Sequence, residues 1–168
     1  MPRTADDWID TLRLVPHPEG GYFRETYRSP DVVPAAALPV RFGGARPAST
    51  AIYFLLQGSQ FSALHRLRAD EVWHHYAGAS LTLSQVHADG TLVEARLGTT
   101  DDGRSLPQVV VPAGCWFGAS VDDPTSYALV GCTVAPGYCE EDFELGDRAA
   151  LTARYPQHAA LIARLTSP

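Results

Sequence analysis

One stretch of this chain concentrates side chains able to move protons: His65-Arg66-Leu67-Arg68-Ala69-Asp70-Glu71-Val72-Trp73-His74-His75. An imidazole titrates near neutral pH and can take a proton from carbon next to a carbonyl, which is general-base chemistry. A carboxylate beside the ring orients it and raises its affinity for the proton. If both flanks are strands, alternation puts His65 and Leu67 on one face and Arg66 and Arg68 on the other. Beyond an Ala69-Asp70 turn, Glu71, Trp73 and His75 share a face opposite Val72, His74 and Tyr76; a bulge would exchange His74 and His75. A hairpin here brings His65 across from the Glu71 strand, so that both meet one ligand. Elsewhere, Arg24 is a planar clamp for a carboxylate or phosphate, and Tyr53, Trp73 and Phe117 are surfaces for a ring to stack on. Each has a plainer alternative: a buried His–Glu pair serving stability, a solvated strand-edge arginine, aromatics that only pack.

Composition removes several classes. All 13 basic residues are arginine, so a lysine Schiff base or lysine general base is excluded. The net charge of −6 argues against a nucleic-acid partner, which would need Lys and Arg to displace phosphate counterions. Cys115, Cys132 and Cys139 form no CxxC pair and no complete disulfide framework, which fits idle thiols in a reducing compartment. No apolar run is long enough for a membrane span, and Met1-Pro2-Arg3-Thr4 opens nothing like a signal peptide. The expectation is a cytoplasmic chain with no membrane partner. Its 168 residues suit one domain, 1–168, that folds without staples.

The elements that must position these groups are mostly strands. Thr4-Ala5-Asp6-Asp7 has capping-box spacing, so a short helix carrying Trp8, Ile9 and Leu12 should follow and stop before Pro16. His17-Pro18-Glu19-Gly20-Gly21 is turn chemistry, leading into a strand over Tyr22–Arg28. Residues 29–48 hold four prolines and two glycines and read as a long ordered loop or irregular edge. About eight short strands occupy the core region, about 49–135: Thr50–Gln57, Phe61–Leu67, Glu71–Ala77, Ser80–His87, Thr91–Leu97, Gln108–Val111, Cys115–Val121 and Ser126–Val134. Their connections are too short for crossovers, so the pairing is antiparallel and the fold class all-β, a sandwich or barrel. Helices return over Asp147–Arg154 and Gln157–Leu165, broken at Pro156.

These residues resemble the cupin superfamily. Its first motif matches at His65, Glu71 and Gly78, and its second at Pro112-Ala113-Gly114, while the leading glycine is displaced to Gly58. Two of the motifs' four metal-ligand positions carry Leu67 and Phe117 instead of histidine. Blocks spread along the chain are similar to one group of small cupins, cupin family 5: His17 to Tyr27, Ser62-Ala63-Leu64-His65-Arg66, Asp70 to His74, and Cys132 to Gly137. The resemblance implies a double-stranded β-helix (jelly roll) with outer N- and C-terminal helices, a homodimer, and a small-molecule ligand inside the barrel. A looser likeness links the chain to metal-free sugar-nucleotide 3,5-epimerases. Gly21 to Thr26 is similar to their substrate segment, which implies binding by Glu25. Ala63-Leu64-His65 is similar to their catalytic-base segment, and the region through Tyr138 to the one supplying an acid tyrosine. The resulting expectation is a metal-independent epimerase or isomerase acting on a carbohydrate-like or keto-acid-like molecule. His65 is its base, Glu71 the orienting partner and Tyr138 the acid, with Arg24, Glu25, Tyr53, Trp73, His74, His75 and Phe117 around the ligand. No cofactor is expected, apart from weak divalent-metal binding through His65, Glu71 and His74 or His75. A non-catalytic binding module and a metal-dependent cupin enzyme remain open.

Overall fold

In the computed structural model, which describes residues 3–99 and 103–167, the chain begins with helix α1 (Ala5–Leu12). Thr4 caps it reciprocally: its hydroxyl accepts from the Asp7 N–H at 3.2 Å, and the Asp7 carboxylate accepts from the Thr4 N–H at 2.8 Å. Arg13 ends the helix in a left-handed conformation. Fourteen strands follow among the described residues: β1 (Val15–Pro16), β2 (Tyr22–Arg28), β3 (Val32–Val33), β4 (Arg46–Pro47), β5 (Thr50–Gln57), β6 (Phe61–Leu67), β7 (Asp70–Gly78), β8 (Leu81–Val86), β9 (Leu92–Leu97), β10 (Ser105–Leu106), β11 (Gln108–Val111), β12 (Trp116–Val121), β13 (Tyr127–Ala135) and β14 (Phe143–Leu145). Helices α2 (Arg148–Arg154) and α3 (Ala159–Arg164) close the chain.

Two six-stranded sheets form an all-β barrel. One runs β1-β2-β5-β13-β7-β11, the other β10-β9-β8-β12-β6-β14. Leu56, Trp73 and Val130 from the first pack against Leu81, Leu83, Phe117 and Val121 from the second, all in one buried cluster. Helix α1 lies outside the first sheet, with Trp8, Ile9 and Leu12 on Leu55 and Leu129. Helices α2 and α3 cover the outer face of the second through Leu151, Tyr155, Ile162 and Leu165 on Leu64, Val86 and Trp116. No helix among the described residues is long and apolar enough to cross a membrane.

Two expectations change. The sheets extend past residues 49–135, since β2 and β14 complete them on either side. More consequential, β6 and β7 do not form a hairpin. The edges of β6 are taken by β12 and β14, and those of β7 by β13 and β11, so the short corner after Leu67 carries the chain from one sheet to the other. His65 and Glu71 therefore sit on facing sheets instead of neighbouring strands.

The 29–48 segment contains the β3–β4 pair and two turns of 3-10 helix. It is tied down by Arg46, whose guanidinium donates to both oxygens of buried Asp142 at 2.6 and 2.7 Å and to the Phe42 carbonyl. Removing either partner of such a pair would strand a buried charge.

Candidate functional site

A cavity of about 300 Å³ opens at one end of the barrel. Inward residues of the first sheet supply Thr50, Ile52 and Phe54 from β5, Glu71 and Trp73 from β7, and Cys132 and Val134 from β13. The facing sheet contributes His65 and Leu67 from β6 and Phe143 from β14. The His17–Glu19 turn and the β2 residues Phe23 and Glu25 form a further wall.

His65 is buried, 3 % exposed. Its Nδ1 lies 2.7 Å from the Ala63 carbonyl oxygen. A carbonyl can only accept, so Nδ1 carries the hydrogen and the lone pair of the neutral ring is on Nε2. No described protein group hydrogen bonds to Nε2. Phe117 and Phe143 hold the ring from two sides, at centroid distances of 4.1 and 5.4 Å. Burial pushes the His65 pKa down to about 4, against the Ala63 hydrogen bond, which raises it. The imidazole is thus uncharged at neutral pH.

The carboxylate beside His65 is Glu19, not Glu71: Glu19 Oε2 lies 3.0 Å from the same Nδ1. Glu19 reaches this point from the His17–Gly21 turn, which is fastened to β6. The Ala63 N–H donates to the Glu19 carbonyl at 2.8 Å, and the Ser62 hydroxyl to Glu19 Oε1 at 2.9 Å. The approach is so close that a Cβ on Gly20 (φ 107°) would stand 2.2 Å from the Phe61 carbonyl oxygen. Burial first, then the nearby Glu71 charge, lifts the Glu19 carboxyl well above the usual range, against the Ser62 hydrogen bond. Sequence reasoning missed Glu19 because a carboxylate in a Pro-Glu-Gly-Gly turn looks like solvent-facing turn chemistry. Its one signal was membership in the His17–Tyr27 family block.

Glu71 has its own partners. Its Oε2 accepts from the Trp73 indole N–H at 3.0 Å, two residues along the same inward face. Burial raises its pKa to about 7, opposed by hydrogen bonds from Trp73 and Cys132. This carboxyl therefore holds a proton for much of the time at neutral pH.

The remaining expected residues fall into two groups. Trp73, Glu25 and Tyr138 line the cavity with His65 and Glu71. At its mouth Arg28 donates to both Glu25 oxygens, at 3.0 and 2.6 Å, and to the Tyr138 carbonyl at 3.0 Å. Burial raises the Tyr138 phenol. Arg24, Tyr53, His74, His75 and Phe117 lie outside the cavity. Arg24, Tyr53 and His74 follow one row of the first sheet's outer face, where Arg24 pairs with Tyr53, and Tyr53 and His74 flank Gly131. The Arg24 guanidinium lies 5.9 Å from the Tyr53 ring, and His74 meets Gln108 at 3.1 Å and Thr133 at 3.3 Å. His75 bonds the Ala79 carbonyl at 3.1 Å. Phe117 is 1 % exposed and supports His65 from behind.

The residues present do not fit the four-donor metal site of the superfamily motif. Leu67 and Phe117 offer no lone pair, so His65 Nε2 and Glu71 are the two donors left of the motif's four. No three His, Cys, Asp or Glu among the described residues are grouped to hold an ion.

A family model described as Cupin superfamily (DUF985) matches residues 6–146. An uncharacterized protein of Saccharomyces cerevisiae is 30% identical over 152 residues, covering 84% of this chain and 74% of that protein. A crystal structure of a protein from Shewanella oneidensis superposes with a TM-score of 0.88 at 41% identity, covering 99% of both chains. A hypothetical protein from Leishmania major gives 0.91 at 38% identity, covering 99% of this chain and 100% of that one. Oxalate decarboxylase from Bacillus subtilis shares the fold alone, with a TM-score of 0.54 at 15% identity over 89% of this chain and 36% of that one.

Proposed function

The chain belongs to the DUF985 family of the cupin superfamily, and from that premise we propose that its cavity binds a small carbonyl compound and moves a proton on it. His65 Nε2 takes the proton from carbon next to the carbonyl. As charge develops on the carbonyl oxygen, the Glu71 carboxyl on the facing sheet donates its own proton to it. The resulting enediol gives a hydroxyl proton back to Glu71 as the His65 imidazolium delivers its proton to the neighbouring carbon, which yields the isomer with both groups restored. In an epimerisation Tyr138 would protonate the far face of the carbon and recover its proton from His65 through solvent, while the enol hydroxyl returns its proton to Glu71. Glu19 and Ala63 keep the imidazole in the one tautomer that leaves Nε2 basic, as the orienting group does in other His-based sites. Tyr138 at the mouth offers a second hydroxyl to the ligand.

The observation carrying this reading is the 2.7 Å contact between His65 Nδ1 and the Ala63 carbonyl, which fixes the lone pair on Nε2. The test is a screen of small carbonyl compounds in deuterium oxide, following C–H exchange by proton NMR. Wild type exchanges a bound compound, and His65→Gln lowers the rate by roughly 10²- to 10⁴-fold. Equal rates in the two proteins contradict the assignment.

A second reading, a binding module without chemistry, is favoured by one fact. Both His65 and Glu71 are already hydrogen bonded to neighbours on their own strands, Ala63 and Trp73. Ligand binding to wild type with no exchange selects it.

A further inference from the structure

The charges around the cavity narrow what it can hold. Four carboxyl groups line it, Glu19, Glu25, Glu71 and Glu140, and among the described residues Arg28 is the one arginine beside them. That guanidinium is matched by Glu25, with Nε and Nη2 each on a carboxylate oxygen. His17 and His65 supply no positive charge, since burial pushes both down to about 4. Glu19 and Glu71 take hydrogen bonds from Ser62 and Trp73, which are neutral. No cation is paired with either buried carboxyl, which is why both hold their protons to unusually high pH, and a cation bound beside them would let them ionise.

The walls point the same way. Phe23, Phe54, Trp73, Tyr138 and Phe143 surround this space. Aromatic rings carry negative charge on their faces and attract cations most strongly where water is excluded. A carboxylate or phosphate would find no unmatched cation among the described residues lining the cavity. Size adds a second limit: at about 300 Å³ the cavity is at the small end of ligand pockets, which run from roughly 300 to 1,000 Å³.

We infer that the cavity takes a compact organic cation, an amine or quaternary ammonium, held between the aromatic walls and the Glu19 and Glu71 carboxyls. This rests on the reading that the cavity is the ligand site, and it makes the carbonyl compound proposed above one that also carries a positive nitrogen. A keto acid is disfavoured by the same charges.

Three probes of one shape test it with the full chain: choline, its uncharged carbon isostere 3,3-dimethylbutan-1-ol, and the anion 3,3-dimethylbutanoate. Affinities come from Trp fluorescence and calorimetry. The result expected is choline tighter than the alcohol by roughly tenfold or more, with the acid weakest. Trp73→Leu should shrink the ratio of choline to alcohol affinity. Alcohol or acid binding as well as choline, or no choline binding at millimolar concentration, overturns the inference, whatever Trp73→Leu does. The proton-transfer reading is judged separately by deuterium exchange. Exchange on a neutral compound, without preference for the cation, sinks the charge assignment alone; cation preference with no exchange on any amine-bearing carbonyl compound sinks the chemistry alone.

Discussion

Along the ladder between β5 and β13 the inward rungs are Leu56–Ala128, Phe54–Val130, Ile52–Cys132 and Thr50–Val134. The first two rungs pack into a filled end of the barrel, where Leu81, Leu83, Ala119 and Val121 from the facing sheet complete the packing, with Phe54 also bordering the cavity. The last two face the cavity, where the other sheet presents His65, Leu67 and Phe143. Both ends obey the same alternation. The difference is what the facing sheet brings: aliphatic side chains fill one end, and an imidazole pinned to its own backbone leaves room at the other. The filled end gains its stability from apolar burial, while the hollow end keeps polar groups buried with shifted pKa values, which costs stability and is the usual mark of a working site.

Mutations at the two ends should therefore behave oppositely. The largest effect belongs to the filled end: Leu83→Ala, at a fully buried position, is expected to lower unfolding free energy by about 2–5 kcal/mol in urea titrations. Ligand affinity of the folded variant should stay unchanged, and a loss of affinity would break the separation of the two ends.

Next comes a pH effect confined to the hollow end. The folded pKa of Glu71, about 7, exceeds its ordinary 4.5, so its contribution is fully present below pH 4.5 and is lost as pH rises through 7. His17 and His65, lowered to about 4, act in the opposite direction between pH 4 and 6.5. Comparing Glu71→Gln with wild type cancels the histidines. The variant should gain relative stability from pH 4.5 to 7, on the order of a few kcal/mol. A flat difference in urea midpoints across that range would mean that Glu71 is solvated.

Adding a ring sharpens the contrast further. Val130→Phe at the filled end is expected to cost about 1–3 kcal/mol by overpacking. Ile52→Phe should cost less, because the cavity accepts the added atoms, and it should block ligand binding measured by calorimetry. The smallest effect is on the outer face: Arg24→Ala should change stability by no more than about 0.5 kcal/mol and leave ligand affinity as it was.

Much of this architecture could be read along the chain. The bounds of β2, β5, β6 and β11 follow from alternation and glycine punctuation, and the Thr4 cap from its spacing. Local pattern does not reveal which sheet a strand joins. The segment from Phe61 to Gly78 looks like a hairpin, and only distant pairing with β12 and β13 sends β6 and β7 to opposite walls. For the same reason Glu19 was invisible as the partner of His65, since the contact exists only once the His17–Gly21 turn docks on β6. Arg24 and Glu25 do face opposite ways, but which of them looks inward depends on the sheet around β2. Strand β14 is three residues long, too short to leave a pattern.

The claim at the centre is a neutral His65 with hydrogen on Nδ1 and a free lone pair on Nε2. Nitrogen-15 NMR of labelled imidazoles reports this directly. The account predicts a pyridine-like Nε2 and a protonated Nδ1 at neutral pH, with His65 titrating near its value of about 4. A His65 that is imidazolium at neutral pH, or that carries its hydrogen on Nε2, would contradict it.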